Sequence, residues 1–267
     1  MYDDAVQKKK IEIVTFELKI VKEMKKAIYI LMLLLASTSL QLSAQQNFAS
    51  ISFGASIPQA DYAATGDLSS NGYANTGGAI KFDAGYFPVS YFGIGGSFSF
   101  GSNYATRDSL LNDVITYIEE NATGGIEIPE DAEALYGSGF WNYINLFLGP
   151  HFSIRATQNL YFDFRGLAGL SIIRAPNQEL TITYDDTYIY THSSYNNVAF
   201  GWTAGGGIRY KFNENLALKL SADYIQTKAK NTYTFDLFEG VVDEVPPLDA
   251  EFYIKALEIT AGLAYSF

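Results

Sequence analysis

The end of the chain alternates strictly between two kinds of side chain. Over the last eleven residues, small or polar residues separate apolar ones at every second position: Leu257, Ile259, Ala261, Leu263, Tyr265 and Phe267. A period of two is that of a β-strand, whose successive side chains point to opposite faces. The segment also has the ~9–11 residues that a tilted transmembrane strand requires.

Seven earlier segments repeat this alternation. Their apolar faces begin at Ile51, Ile80, Phe92, Ile144, Phe162, Val198 and Leu216. After Gln45 no apolar stretch is long enough for a membrane helix. A chain of this kind enters a membrane only as a closed barrel, in which each strand satisfies the backbone groups of its neighbours. The pattern therefore predicts eight strands.

Alternation alone leaves open which face points inward. A soluble barrel buries its apolar face, whereas a transmembrane barrel turns that face to lipid. Short links (87–91, 156–159 and 213–215) alternate with long ones (59–76, 102–139, 175–195 and 231–253). Strict alternation of link lengths is typical of outer-membrane barrels. Aromatic residues beside the short turns predict an interfacial girdle: Tyr86, Phe87, Tyr91, Phe92, Tyr161, Phe162, Tyr210 and Phe212.

With these features, residues 45–267 resemble the small outer-membrane barrels that include the OmpA-type, OmpX-type and opacity proteins. The terminal Tyr265 and Phe267 are similar to the signal that the family's assembly machinery recognises. The resemblance implies an all-β fold, an eight-stranded antiparallel up-and-down transmembrane β-barrel with short periplasmic turns and long extracellular loops. It implies outer-membrane lipid, lipopolysaccharide and the barrel assembly machinery as partners, and we expect a monomer.

The amino-terminal region has the layout of an export signal. From Met24 it carries Lys25 and Lys26, an apolar run over 27–36, and Leu42-Ser43-Ala44. We predict a signal peptide over 24–44, cleavage after Ala44 and an outer-membrane barrel over 45–267. The alternative is an uncleaved anchor, for which the apolar run is short. Residues 1–23 are expected to reflect a translation start assigned too far upstream.

Composition removes several classes of function. The formal net charge of −11 argues against nucleic acid as a partner, because phosphates would repel the chain. The absence of cysteine excludes thiol catalysis and cysteine-ligated zinc. We expect no cofactor and no metal centre.

Ten charged residues fall on or beside the face that a transmembrane barrel turns inward. They are Lys81, Asp83, Arg155, Asp163, Arg165, Arg209, Lys211, Lys219, Asp223 and Glu258. Eight strands leave an interior filled by side chains, so such charges must pair or reach water. One hypothesis is a structural ion-pair network that plugs the lumen, and the other is the gate of a narrow pore.

One short motif suggests chemistry. His151-Phe152-Ser153 resembles the His-x-Ser pair of an outer-membrane lipid A deacylase. Such an enzyme needs the pair at the outer leaflet with a supporting carboxylate. The fourth alternating segment places His151 near the periplasmic end and facing the lumen, so we expect no catalytic residues.

The long links contain further patterns. Leu111, Val114, Ile115 and Ile118 follow helical spacing, and we predict a surface helix capped by Asp108 or Ser109. Residues 180–184 and 187–190 flank two aspartates, which predicts that the fifth and sixth strands continue as a hairpin above the membrane. A ten-stranded barrel is the alternative. The links are also acidic, which suits either solvated loops or the collection of divalent cations.

The sequence therefore favours a non-enzymatic outer-membrane barrel whose loops act in adhesion, envelope integrity or partner binding. Two alternatives stay open, a narrow channel for small solutes or ions and a lipid-modifying enzyme.

Overall fold

A computed structural model describes residues 47–122, 133–137, 139–176, 178–184, 187–193, 196–237 and 245–267. The predicted extension over 1–23, the signal peptide over 24–44 and the cleavage site lie outside these residues. In chain order the elements are β1 (Phe48–Pro58), a 3-10 turn (Ala60–Tyr62), β2 (Gly77–Tyr86), β3 (Phe92–Tyr104), α1 (Arg107–Asn121), β4 (Glu133–Gly137), β5 (Phe140–Arg155), β6 (Leu160–Arg174), β7 (Gln178–Tyr184), β8 (Thr187–Ser193), β9 (Asn196–Lys211), β10 (Leu216–Leu237) and β11 (Leu248–Ser266).

Eight of the strands close into an antiparallel ring. The order is β1, β2, β3, β5, β6, β9, β10 and β11, and β11 pairs with β1. One circuit of paired residues runs through Thr227, Gly201, Gly169, Phe147, Ser97, Asp83, Ser50, Ala264 and Ala217. The circuit returns to β10 ten residues below its start, and such a stagger makes the strands tilt by roughly 40°. The predicted eight-stranded barrel is confirmed.

The barrel has the transmembrane sense. The apolar faces of the strands point outward, with Phe53 55% and Phe200 68% exposed. Charged residues on the opposite faces are buried inside, such as Lys81 at 2% exposed. The soluble alternative, with the apolar face inward, is therefore wrong. Among the described residues, no helix is long and apolar enough to cross a membrane.

Polar side chains stabilise the short turns by accepting hydrogen bonds from backbone amides. Asn213 Oδ1 accepts bonds from the Asn215 and Leu216 amides, at 3.0 and 2.7 Å. These bonds replace ladder hydrogen bonds where the chain reverses. At the neighbouring turn, Thr157 Oγ1 accepts the amide of Leu160 at 3.1 Å.

Most of the predicted aromatic girdle lies on the outer surface, but two of its members do not. Phe87 and Tyr161 are buried in the lumen at the short-turn end. Phe87 follows the last residue of β2, where the strand alternation no longer sets side-chain direction. Tyr161 belongs to the inward set of β6, one residue from the outward Phe162. Placing these two residues in the girdle was wrong.

Several strands extend beyond the ring on the long-loop side. The ladder between β6 and β9 reaches Arg174 and Asn196, and a ladder between β7 and β8 follows it. The fifth and sixth barrel strands thus continue as a hairpin, as predicted. On either side of the hairpin, β4 pairs with β7 and β8 pairs with the end of β10.

The predicted surface helix exists, but its start and its buried face differ from the prediction. α1 is preceded by Thr106, whose side chain makes no capping bond, so neither Asp108 nor Ser109 is the cap. The fully buried residues are Leu110, Val114 and Ile118, and Leu111 and Ile115 are only partly buried. Spacing of three and four residues fits both faces, so the sequence did not decide between them.

Candidate functional site

The middle of the lumen contains a network of buried ion pairs. Lys81 Nζ lies 2.8 Å from Asp223 Oδ2 and 2.7 Å from Glu258 Oε2. Arg165 binds Asp223 through two guanidinium nitrogens, with Nε to Oδ1 at 2.7 Å. Such two-point contacts fix both side chains, because the guanidinium fork matches the carboxylate.

A further cation connects to the same network. Lys219 Nζ lies 2.5 Å from Asp83 Oδ2 and 3.1 Å from Ser50 Oγ. Arg165 Nη1 is 3.6 Å from the same Asp83 oxygen. The pairs join β2, β6 and β10. Two strands separate β2 from each of the other two by the shorter way around the ring, and four strands by the longer way. The side chains therefore reach across the lumen.

A second buried cluster lies nearer the short turns. Arg209 donates from Nε to Asp163 Oδ2 at 2.6 Å and from Nη2 to Ser153 Oγ at 2.9 Å. Its guanidinium carbon lies 3.8 Å from the centre of the Phe48 ring. Across both clusters, four cations face four carboxylates, so the formal charges balance.

Two of the ten predicted residues lie outside the network. Arg155 is exposed and binds the carbonyls of Thr157 and Gln158 in the adjoining turn. Lys211 reaches the carbonyl of Glu214 at 3.4 Å. Both residues lie at strand ends beside the short turns, and the centre of the Tyr161 ring is 5.9 Å from Arg155 Cζ and 5.4 Å from Lys211 Nζ. Including them was wrong.

Apolar layers cover the charges on both sides. Toward the long loops lies an aromatic layer of Tyr62, Trp141, Tyr143, Phe147 and Phe252, all buried. The Trp141 ring packs edge-on against Phe252, with centroids 5.1 Å apart. Tyr143 also donates its hydroxyl to Glu258 Oε1 at 3.1 Å, which joins the layer to the charges.

At the short-turn end, Phe48 and Phe87 close the lumen with Ala217 and Ala264. The His151 ring packs edge-on against both phenylalanines, with centroids 5.5 and 5.3 Å away. His151 Nε2 is 3.9 Å from Asp163 Oδ1, and Ser153 Oγ is taken by Arg209. Both residues are buried on the periplasmic side, so the His-x-Ser pair does not face an outer-leaflet lipid.

An extracellular cap closes the long-loop end. Its core is a cluster of Leu68, Tyr73, Leu110, Val114, Ile118, Tyr233, Val245 and Ala250, which joins α1 to the first and fourth long links. Asp113 accepts the Tyr73 hydroxyl at 2.5 Å and the Gly66 amide at 2.8 Å. Burial and the Asp113 carboxylate raise the pKa of Tyr73 well above its ordinary value. Trp141 Nε1 donates to the Gly72 carbonyl at 2.8 Å, which ties the cap to the aromatic layer.

The described residues contain no group of three or more histidine and carboxylate side chains arranged to hold a metal ion. Tyr265 and Phe267, the predicted assembly signal, lie exposed on the outer surface with ring centroids 6.5 Å apart. Their recognition by assembly machinery stays a prediction. No pattern in the sequence predicts the aromatic layer, because its members come from the 3-10 turn, β5 and β11, which are far apart in the chain.

Comparison with protein families matches residues 30–267 to the outer membrane protein beta-barrel domain. The chain belongs to this family. Membership establishes an outer-membrane β-barrel and agrees with the outward apolar surface and the inward charges.

Solved structures similar to this family member include three outer-membrane proteins. The attachment invasion locus protein Ail of Yersinia pestis is 14% identical, with a TM-score of 0.36 over 83% of this chain and 99% of that one. OprG of Pseudomonas aeruginosa is 9% identical, with a TM-score of 0.48 over 83% and 95%. The protease OmpT of Escherichia coli is 12% identical, with a TM-score of 0.42 over 86% and 100%. A search of curated proteins finds no match.

Proposed function

We propose that this protein is a closed, non-enzymatic outer-membrane barrel that acts through its extracellular cap, in surface interaction or envelope integrity. The observation that carries the proposal is the filled lumen. Ion pairs cross it, and buried aromatic side chains cover them on both sides. A barrel whose lumen is filled in this way acts as a scaffold for the cap.

The cap has the features of a presented surface. Helix α1 buries three apolar residues and exposes Asp108, Asn112 and Glu120 on its other side. Burying each apolar side chain contributes about 1.5–3 kcal/mol, enough to hold a short helix in one place. The exposed face is acidic and polar, and it fits a partner that carries basic groups.

A channel function is the weaker alternative, because conduction would require the cross-lumen pairs to separate. Buried pairs resist separation, since each partner would be left as an uncompensated charge. A lipid-modifying activity is weaker still, since Ser153 binds Arg209 and lies at the opposite end from the outer leaflet. No other residue set proposed from the sequence would supply catalysis.

Complementation of a strain that lacks the gene tests the proposal. The strain would receive either the full chain or a chain in which residues 107–121 are replaced by a short glycine-serine linker. We expect both proteins to reach the outer membrane and to shift on gels after heating, but only the full chain to restore surface attachment or resistance to large antibiotics. Full rescue by the chain without α1 would place the function elsewhere.

A further inference from the structure

The outer face of β6 changes from apolar to charged at one residue. Its outward positions from Phe162 to Ile172 are apolar or glycine, and the next outward position is the exposed Arg174. The ten residue steps from Phe162 to Ile172 rise by about 26 Å at a tilt of roughly 40°. That rise matches the ~25 Å height of the lipid-facing band of such barrels. Arg174 therefore lies on the long-loop side, at the level where lipid head groups begin.

The neighbouring strands place an amide side chain on each side of Arg174. Asn142 of β5 and Asn196 of β9 are its register partners, and both belong to the outward sets of their strands. One outward position below is a row of apolar side chains: Ile144, Ile172 and Val198. Side chains that face each other across strands have Cβ atoms about 4.5–5.5 Å apart. The three polar residues thus form one patch above an apolar row, on the same outer surface.

Arg174 differs from the other cations that face outward on the long-loop side of the described strands. Each of these contacts a carboxylate: Lys228 and Lys230 with Glu251, and Lys255 with Asp61. Arg174 forms no ion pair within the part of the chain that the structure describes. An exposed guanidinium at the membrane interface, without a carboxylate from the protein, is complementary to an anion from the lipid.

The donors of the patch match a phosphate better than a carboxylate. The fork of Arg174 can bind two oxygens of either group. Asn142 Nδ2 already donates to the Phe140 carbonyl at 3.1 Å, and its second hydrogen is not used among the described residues. With Asn196, the patch offers two further amide donors. A phosphate monoester has three acceptor oxygens and close to two negative charges, whereas a carboxylate has two oxygens, which the fork alone would occupy.

We propose that Arg174, Asn142 and Asn196 form a binding site for a lipid of the outer leaflet whose head group carries a phosphate. The guanidinium binds two phosphate oxygens and the amides donate to the third. An acyl chain lies below along Ile172 and Val198, which are 40% and 64% exposed. The site belongs to the barrel wall, so it does not depend on what the cap binds.

Tryptophan fluorescence gives a direct test. Trp202 lies on the outer face of β9, three outward positions below Asn196, whereas the second tryptophan, Trp141, is buried in the aromatic layer. The full chain would be placed in nanodiscs of phosphatidylcholine. Increasing fractions of that lipid would be replaced by phosphatidic acid brominated on its chains or, as the control, by phosphatidylcholine with the same bromines. We expect an apparent affinity about fivefold higher for phosphatidic acid, the effect of one arginine at an anionic lipid surface.

Two variants of Arg174 and one matched control test the site. Arg174→Gln should abolish the preference for phosphatidic acid, and Arg174→Lys should retain only part of it, because lysine keeps the charge without the fork. The control is Lys230→Gln, which removes the same charge from the same side of the barrel while Lys228 still pairs with Glu251. It should leave the preference nearly unchanged. All three variants should still shift on heating.

Four results would overturn the proposal. Equal quenching by the two brominated lipids would mean that the wall does not select a phosphate monoester. An equal loss of preference in Arg174→Gln and Lys230→Gln would mean a general effect of surface charge. Complete displacement of the lipid by an excess of inorganic phosphate would mean a site for free anions. Loss of heat-modifiability in Arg174→Gln, with Arg174→Lys folded, would mean that Arg174 stabilises the barrel instead.

Discussion

Individual residues show what strand alternation alone can predict. It predicted that Arg209 and Arg155 both belong to the lumen, yet only Arg209 is buried there. Alternation predicts which face of a strand a residue occupies, but not how far along the strand it lies between the two ends of the barrel. That position determines whether a guanidinium lies beside a buried carboxylate or in water. The cross-lumen partners also depend on the stagger between strands, which the sequence does not state.

This difference in depth leads to a test with two matched arginines. Arg209→Gln leaves Asp163 buried without its cation, so we expect unfolding to become easier by about 3–5 kcal/mol. Arg155→Gln removes contacts to turn carbonyls and a cation–π contact with the Tyr161 ring, all at an exposed site, so its effect should stay within about 1 kcal/mol. Urea unfolding in lipid vesicles measures both. Equal effects would show that the buried cluster does not stabilise the barrel.

Two glycines provide a second test at the residue scale. A Cβ on Gly205 would collide with Asp223 Oδ1 and the Ala222 carbonyl, whereas a Cβ on the outward Gly166 would meet nothing within 4 Å. We expect Gly205→Ala to lower the urea midpoint clearly and Gly166→Ala to leave it unchanged or slightly raised. A tolerated Gly205→Ala would contradict the close fit of the charge network against β9.

At the scale of elements, strands were predictable and the cap was not. Period two and the lengths of the links identify all eight barrel strands and the upper hairpin, because these are local properties of the chain. The docking of α1 depends on residues from the first and fourth long links, which are far apart in sequence.

The cap can be tested as a separate element. Val114→Asp puts an unpaired charge into the cap core, so we expect α1 to detach and the links around it to become sensitive to protease added outside intact cells. Thr116→Asp makes the same change on the exposed face of the helix and should leave protection unchanged. Both barrels should still shift on heating. Equal protease sensitivity would mean that the cap core does not hold α1.

The whole molecule combines an apolar outer surface, a balanced set of interior charges and a capped mouth. Family membership establishes the outer-membrane barrel, and the filled lumen is the basis for a scaffold function. Because the ion pairs bridge opposite walls, closure is a property of the assembled ring and of no single strand.

Single-channel recording in planar bilayers tests this closure most directly. The refolded full chain, checked by its shift on heating, would be inserted at several voltages and salt concentrations. The account predicts no reproducible conductance steps. Steady, uniform steps from the folded protein would contradict the closed lumen and favour a pore gated by the same ion pairs.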